Sequence, residues 1–254
     1  MFPFTKFFRK ASGDSGPQLS SATYRELYEF HARHYEGEQA VGLGPYDQIG
    51  RMELDLLRAE GLRPDQSLVD FGCGNGRLAQ FAIPYLKGGH YIGIDVSKTF
   101  LQQARDRISK LIPDPPCRVS WMEQPAITHF PMQDHSADMI CAFSVFTHME
   151  HEDMFRYLVD ALRILRPGAR FVFSCLPIDL AAAQQIFVTE AAMDLGQRWR
   201  RPRNVVTSTD LVQAVCRLAG WQVVRWYKGD ENSIPDEQGI MHIFGQSVCV
   251  LQAA

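Results

Sequence analysis

The ten residues from Val69 to Leu78, VDFGCGNGRL, decide the fold of this chain. An apolar run leads into an acid, Asp70, and three glycines follow at alternate positions, Gly72, Gly74 and Gly76. Glycine permits sharp backbone turns and lets the main chain approach a ligand closely, so a glycine-rich turn after a strand is typical of nucleotide-binding sites. The stretch therefore predicts a strand, a tight turn and a helix around a cofactor that contains a nucleoside.

Strand and helix patterns alternate on the C-terminal side of this turn. Predicted strands cover residues 67–71, 91–95, 117–122, 137–146 and 169–176. Predicted helices cover residues from about 76 to 86, 98 to 111 and 153 to 165. Alternation at this spacing is typical of an α/β fold, a doubly wound, mostly parallel sheet with helices on both faces.

The end of the chain interrupts the alternation. A helix at 208–220 precedes a strand at 221–227, and the next strand, at 242–252, follows without a convincing helix between them. Two consecutive strands that lack a crossover helix should pair antiparallel. The sheet is therefore expected to end in one reversed strand.

Length and composition favour one large domain. The chain has 254 residues, of which 46% are hydrophobic and 22% charged, as in ordinary globular proteins. We expect a single domain over residues 21–254, with two N-terminal helices within about 21–62 as a lid, and a flexible tail over residues 1–20. Alternatively, the Phe-rich, basic start of this tail could lie on a membrane surface.

The net charge and the cysteines limit the classes of partner and the cellular compartment that we expect. The net charge of −3 provides no long-range attraction to nucleic acid or to an anionic membrane. No stretch approaches the ~20 apolar residues of a transmembrane segment. The six cysteines form no C-x-x-C pair and several lie in apolar runs, which predicts buried, reduced thiols in a cytoplasmic protein. The oligomeric state is not encoded in any pattern we recognise.

The residues around the glycines distinguish between nucleotide cofactors. In the dinucleotide pattern G-x-G-x-x-G the third glycine would stand at position 77, where this chain has Arg77. Asp70 would repel a pyrophosphate but attract a positively charged sulfonium group. Asp95 ends the second predicted strand, where an acid accepts hydrogen bonds from ribose hydroxyls. S-adenosylmethionine, which has a ribose, no phosphate and a cationic end, satisfies these requirements, whereas an NAD-dependent oxidoreductase remains the first alternative.

At this point the sequence resembles the class I S-adenosylmethionine-dependent methyltransferases, from about Asp47 to Gln252. The ordered motifs that carry the resemblance are VDFGCGNGRL (69–78), GIDVS (93–97), FPMQDHSADMICAFSVFTHM (130–149), LRILRPGARFVFS (162–174) and LAGWQVVRWY (218–227). The resemblance implies a seven-stranded sheet in the order 3-2-1-4-5-7-6 with an antiparallel last strand, and S-adenosyl-L-methionine as cofactor.

The resemblance also implies roles for individual residues. The residues expected to border the methionine part of the cofactor are Asp70, Gly72, Cys73 and Gly74. Those expected to contact its nucleoside are Asp95 for the ribose, Val96 for the adenine ring, and Glu123 or Gln124 for the adenine amino group. Phe143 or Ser144 is expected to face the reacting centre. The glycines could alternatively serve only the turn, and Asp95 could cap a helix, although Ser97 suits that role better.

A general base is needed if the acceptor is an alcohol, and His148 is the candidate. It follows the fourth predicted strand, at the edge of the sheet where ligands bind. The alternative is that His148 caps or packs beside the next helix. The HMEH stretch from His148 to His151 lacks the H-E-x-x-H pattern and a third ligand, so no metal site is predicted.

The acceptor is predicted to be a small molecule or a glycan, methylated on oxygen. Nucleic acid is not expected, because the N-P-P-Y and D-P-P-Y signatures of exocyclic-amine methylation are absent after the fourth strand and the Lys-Asp-Lys-Glu set of ribose methyltransferases is absent from the expected places. The arginines that could clamp an anionic acceptor, or simply form a solvated face, are Arg198, Arg200, Arg201 and Arg203. The tyrosines expected to form the opposite wall are Tyr24, Tyr28, Tyr35 and Tyr46. A second alternative is a non-catalytic module that keeps the cofactor-binding fold.

Overall fold

The structure is a computed structural model, and it describes residues 24–34, 37, 41, 45–124, 129–199 and 201–253. Within them the helices are α1 (Tyr24–His34), α2 (Tyr46–Ala59), α3 (Ala79–Tyr85), α4 (Lys98–Leu111), α5 (His151–Ile164), α6 (Ala181–Ala191), α7 (Leu195–Trp199) and α8 (Thr209–Leu218). The strands are β1 (Ser67–Phe71), β2 (His90–Asp95), β3 (Arg118–Glu123), β4 (Ala137–Ala142), β5 (Leu165–Pro177), β6 (Val206–Thr207), β7 (Trp221–Tyr227), β8 (Ile234–Pro235), β9 (Met241–His242) and β10 (Ser247–Ala253). A short 3-10 helix covers Phe146–His148.

The main sheet confirms the predicted topology. Its strands lie in the order β3-β2-β1-β4-β5-β10-β7, with β6 paired to β5 outside this path. Strands β1 to β5 are parallel to one another, and β10 is antiparallel to both β5 and β7. Because β1 lies between β2 and β4, the carboxyl ends of these three strands meet at one edge of the sheet.

Most predicted boundaries agree with the structure to within two residues, and α3, β4, β5 and β10 differ by more. Helix α3 begins at Ala79 instead of about 76, because Gly76 has a positive φ of 92° that a helix cannot accommodate. Strand β4 ends at Ala142, short of the predicted residue 146, because the chain turns at Ser144, where φ is 58°. Helices α6 and α7 and the short strands β6, β8 and β9 were not predicted.

The sheet separates two apolar cores. Val69 and Phe71 of β1 face the core beneath α5, and Leu68 faces the core beneath α2 and α3. The Phe71 ring lies 4.6 Å from that of Tyr157 and 5.0 Å from that of Phe130, measured between centroids. Full burial of one such side chain stabilises the fold by about 1.5–3 kcal/mol. The turn after β1 is therefore attached to a rigid strand.

All six cysteines are buried free thiols, as predicted. In the described part of the chain, no helix has the length and apolar character required to cross a membrane. Residues 1–20, for which a flexible tail is predicted, lie outside the described residues.

Candidate active site

The glycine turn is anchored to the neighbouring strand. The N–H groups of Gly72 and Cys73 donate to the Ile94 carbonyl, at 2.7 and 3.1 Å. Gly72 has a φ of 75°, and a Cβ atom built there would lie 2.3 Å from Cγ2 of Val145. Any larger residue would therefore clash with the loop after β4 as well as strain the turn. Burial raises the pKa of the Cys73 thiol well above its usual value, which keeps it neutral.

Asp95 ends β2 with its carboxylate turned toward the glycine turn. Its Oδ2 accepts a hydrogen bond of 2.9 Å from Gly74 N–H, and its Oδ1 accepts one of 2.8 Å from Ser97 N–H. Burial raises the pKa of Asp95 to about 6 even though these bonds act in the opposite direction. Each carboxylate oxygen can accept more than one hydrogen bond, so the side chain keeps capacity for two ribose hydroxyls. The helix cap is Ser97, as predicted, since its hydroxyl accepts from Phe100 N–H.

Asp70 lies within the core beneath α2 and α3. Its Oδ2 accepts a 2.5 Å hydrogen bond from the Tyr91 hydroxyl, and the Cys141 thiol contacts its Oδ1 at 3.8 Å. Burial raises the pKa of Asp70 to about 7. Both oxygens therefore have partners inside the protein, and a contact between Asp70 and the cofactor stays a prediction.

The Arg77 side chain is engaged within the protein. Its guanidinium pairs with Glu53 of α2, with 2.5 Å between Nη2 and Oε1, and donates to the Val41 carbonyl at 2.8 Å. Only 11% of the Arg77 side chain and 2% of the Glu53 side chain are exposed. This buried pair fixes the glycine turn to α2.

The two candidates for the adenine contact have different surroundings. Glu123, the last residue of β3, forms ion pairs with Arg25 at 2.9 Å and Lys98 at 3.5 Å. Gln124 is buried, and its side-chain amide donates to the His129 carbonyl at 2.8 Å. Val96, next to Asp95, is half-buried. The choice between Glu123 and Gln124 stays open.

The loop after β4 carries the remaining candidates. Phe143 is buried with its ring centroid 5.6 Å from that of Phe244, and the Ser144 hydroxyl contacts the Gln246 side chain at 3.0 Å. His148 ends the 3-10 helix that follows, and its Nδ1 lies 2.7 Å from the Arg203 carbonyl. A carbonyl only accepts, so Nδ1 carries the proton and Nε2 has a free lone pair.

The environment of His148 keeps the ring neutral. Burial lowers its pKa below the usual value, and the Arg203 carbonyl opposes this effect in part. The Tyr28 ring of α1 meets the His148 ring edge-on, with 6.1 Å between centroids. His151, three residues further on, bonds instead to the Thr207 hydroxyl at 2.8 Å. Among the described residues, no group of three His, Cys, Asp or Glu side chains could hold a metal ion.

Helix α1 covers this edge of the sheet. Glu29 accepts hydrogen bonds from the hydroxyls of Ser97 and Thr99, at 2.7 and 2.6 Å. The Tyr24 hydroxyl donates to Asp153 at 3.0 Å and accepts from Glu150 N–H. Helix α1 is thus tied to the regions that follow both β2 and β4.

Of the other tyrosines, Tyr46 bonds to Asn75 at 2.8 Å, and Tyr35 lies outside the described residues.

The candidate arginines are largely engaged within the protein. Arg201 pairs with Glu190 at 2.8 Å, and Arg203 pairs with Glu150 and lies over the Trp199 ring at 4.0 Å. Arg200 lies outside the described residues. Two of the four arginines therefore have carboxylate partners, and a clamp for an anionic acceptor stays a prediction.

The residues present fit S-adenosylmethionine. The buried Asp95 carboxylate has spare acceptor capacity at the carboxyl end of β2. The Arg77 guanidinium is paired with Glu53 and is not available to a phosphate. The site therefore offers hydrogen-bond acceptors to a ribose. The positive charge of Arg77 is already paired, so it would not bind a pyrophosphate.

The comparisons with known proteins agree with this geometry. Residues 68–168 match the family model described as a methyltransferase domain. Together with the strand order, this match shows that the chain contains a methyltransferase domain like those of the class I S-adenosylmethionine-dependent enzymes. This match favours a methyltransferase over the alternative of an NAD-dependent oxidoreductase.

Two curated methyltransferases are similar to this chain in sequence. A malonyl-[acyl-carrier protein] O-methyltransferase of Brevibacillus brevis is 26% identical over 169 residues, which cover 65% of this chain and 56% of that protein. The 27-O-demethylrifamycin SV methyltransferase of Amycolatopsis mediterranei is 33% identical over 109 residues, 43% of this chain and 38% of that protein. The chain thus spans less than two thirds of either relative.

A solved structure with the same fold is the magnesium protoporphyrin IX methyltransferase from Synechocystis with bound SAH. It superposes with a TM-score of 0.61 over 91% of this chain and 98% of that chain, at 14% sequence identity.

Three charged residues that make contacts at this site were not singled out from the sequence: Arg25, Glu29 and Glu190. Glu29 and Arg25 lie on the predicted lid helix, where only the tyrosines were singled out. Glu190 lies on α6, which was not predicted. The one available signal was their charge, and charged residues on a surface helix do not by themselves indicate a site.

Proposed function

We propose that the protein transfers a methyl group from S-adenosylmethionine to an oxygen atom of a small-molecule or glycan acceptor. The observation that carries this proposal is the state of His148: Nδ1–H is held by the Arg203 carbonyl, and the free Nε2 lies on the loop that packs against the glycine turn through Val145. A neutral imidazole in this position can accept the proton of an acceptor hydroxyl. The two curated relatives described above support oxygen as the methylated atom, since one is named an O-methyltransferase and the other acts on a 27-O-demethyl compound.

The bound cofactor would supply a methyl group on a sulfonium, which is a good leaving group in an in-line displacement. The chain's own residues then have three tasks. The glycine turn and Asp95 hold the cofactor in one orientation, so that alignment accounts for much of the rate. Helix α1 covers the edge of the sheet and limits the access of water. His148 Nε2 removes the hydroxyl proton as the oxygen–carbon bond forms.

The experiment has a binding part and a turnover part. Calorimetry should detect binding of S-adenosylmethionine and S-adenosylhomocysteine, with no comparable binding of NAD. Incubation with isotope-labelled S-adenosylmethionine and a metabolite extract, followed by mass spectrometry, should reveal a product with one labelled methyl group on oxygen. Binding without any labelled product from a broad extract would favour the non-catalytic alternative, and a product labelled on nitrogen or carbon would contradict the choice of oxygen.

A further inference from the structure

A single peptide group joins His148 to the buried carboxylate of Glu190. The Arg203 carbonyl of this group accepts the hydrogen bond from His148 Nδ1 at 2.7 Å. The Asn204 N–H of the same group donates to Glu190 Oε1 at 3.1 Å. The histidine and the carboxylate therefore bind opposite ends of one peptide dipole. The next residue adds a further tie, since Val205 N–H donates to the Thr147 carbonyl at 2.7 Å.

Glu190 is held firmly in this position. Its Oε1 also accepts from the Asn204 side-chain amide at 3.2 Å and from Arg201 at 2.8 Å. The side chain is 9% exposed, and its Oε2 is buried without a hydrogen-bond partner among the described residues. A buried carboxylate oxygen without a partner is costly in a folded protein, so its presence calls for an explanation.

We propose that Glu190 is a positioning residue, which orients His148 and makes it a stronger base through the Arg203–Asn204 peptide group. The negative charge polarises the N–H group, so the carbonyl at the other end becomes a better acceptor. A better acceptor stabilises the imidazolium that forms when His148 takes a proton. The role in catalysis rests on the proposed function of His148, whereas the coupling between the two side chains does not.

Other charged and titratable groups also surround His148. Those that face it or its partners are His31 and Tyr28 on α1, Glu190 on α6, Arg201 and Arg203 on the segment that follows α7, and Glu150, which pairs with Arg203. Glu190 raises the pKa of His148, while burial, His31 and Arg201 lower it. Removal of the Glu190 charge should therefore lower the pKa of His148.

The test uses Glu190→Gln in the full chain. The amide keeps the shape of the side chain and an oxygen that can accept from Asn204 N–H, but it removes the charge. Titration of His148 by NMR should show a decrease in its pKa of about 0.5–1 unit. The nitrogen shifts of the wild-type ring should show the proton on Nδ1. Turnover, once an acceptor is known, should fall by about 2–5-fold.

Asp160→Asn is the matched control, because Asp160 is also a buried carboxylate that accepts from a backbone N–H and an arginine, here Phe130 and Arg163. It should leave the titration of His148 unchanged. If Glu190→Gln does not fold, Glu190→Asp serves instead. Its side chain is one methylene shorter, so the charge lies further from Asn204 N–H and the pKa of His148 should again decrease. A folded variant at position 190 in which His148 titrates as in the wild type would overturn the inference.

The inference and the proposed function fail in different ways. Full turnover by a His148→Ala variant would overturn the catalytic role of His148, even if Glu190→Gln shifts its titration. An inactive His148→Ala variant together with an unshifted titration would overturn the role of Glu190 alone.

Discussion

The Glu29 carboxylate of α1 accepts a hydrogen bond of 2.7 Å from the Ser97 hydroxyl at the start of α4. Since Ser97 N–H also donates to Asp95, this contact holds α1 beside the predicted ribose-binding carboxylate. Burial alone would raise the pKa of Glu29, but hydrogen bonds from Thr99 and Ser97 lower it to about 2. A lowered carboxyl pKa contributes stability that is complete above the unfolded value of 4.5 and is lost as the pH falls toward 2. The attachment of α1 should therefore be at full strength at neutral pH.

Glu29→Gln should loosen α1 without unfolding the sheet. The amide retains one acceptor but loses the charge, and hydrogen bonds to a charged group are stronger by about 1 kcal/mol than neutral ones. Amide exchange across α1 should accelerate by about 5–10-fold, as measured by hydrogen–deuterium exchange, because opening of this helix exposes its backbone. Asp106→Asn on α4 is the control and should leave α1 unchanged, because within the described part of the chain this carboxylate bonds only to the nearby Gln102. Unaltered exchange in Glu29→Gln would show that other contacts hold α1.

Asp95→Ala should weaken cofactor binding. Loss of the carboxylate leaves two ribose hydroxyls without acceptors, at a cost of about 1.5–3 kcal/mol. This corresponds to roughly one to two decades in the affinity for S-adenosylhomocysteine measured by calorimetry. Because Asp95 also accepts from Gly74 and Ser97, the comparison should include Asp95→Asn, which keeps one acceptor oxygen and should lie between the two. Wild-type affinity in a folded Asp95→Ala protein would place the ribose elsewhere.

Asp70→Asn should change the pH dependence of stability. Burial raises the pKa of Asp70 from 3.8 to about 7, so the folded state holds its proton more tightly than the unfolded state. The free energy of unfolding of the wild type should therefore decrease as the pH rises from about 4 to 7, by up to about 1.4 kcal/mol per unit from this group. The variant lacks this contribution.

Urea unfolding at pH 5 and pH 7.5 tests this expectation. The stability of Asp70→Asn relative to the wild type should increase with pH. A constant difference for Asp70→Asn would mean that Asp70 is ionised in the folded protein.

His148→Ala should lower turnover by ~10²–10⁴-fold and leave the affinity for S-adenosylhomocysteine nearly intact. Burial lowers the pKa of His148 below 6.5, so the wild-type rate should stay high at neutral pH and fall only in more acidic solution. The variant should lose this acidic limb. His151→Ala serves as the control, because His151 bonds to Thr207 and should not affect the pH–rate profile. Near-normal turnover with the same profile would make His148 structural and leave catalysis to alignment.

The sequence alone determined the elements whose signals are local. Strands β1 and β7 and helix α4 have the predicted bounds, because apolar periodicity and a cap such as Ser97 act within a few residues. The glycine turn and the acid that ends β2 were predicted for the same reason: each depends on its position after a buried strand. The antiparallel last strand could also be predicted, because the order of elements along the chain places no crossover helix between it and the preceding long strand.

The tertiary structure alone decided how the site is held together. The Ser97–Glu29 contact spans 68 residues of the chain, and the contact of His148 with Arg203 spans 55. Neither partner can be read from local pattern, because any exposed helix offers many acids and any loop many carbonyls. Packing selects one of them, since a hydrogen bond forms only when both groups are brought within about 3 Å in the right direction. Short motifs thus encode the edge of the sheet where the cofactor is expected. The position of α1 and the state of His148 are encoded only through the way distant segments pack.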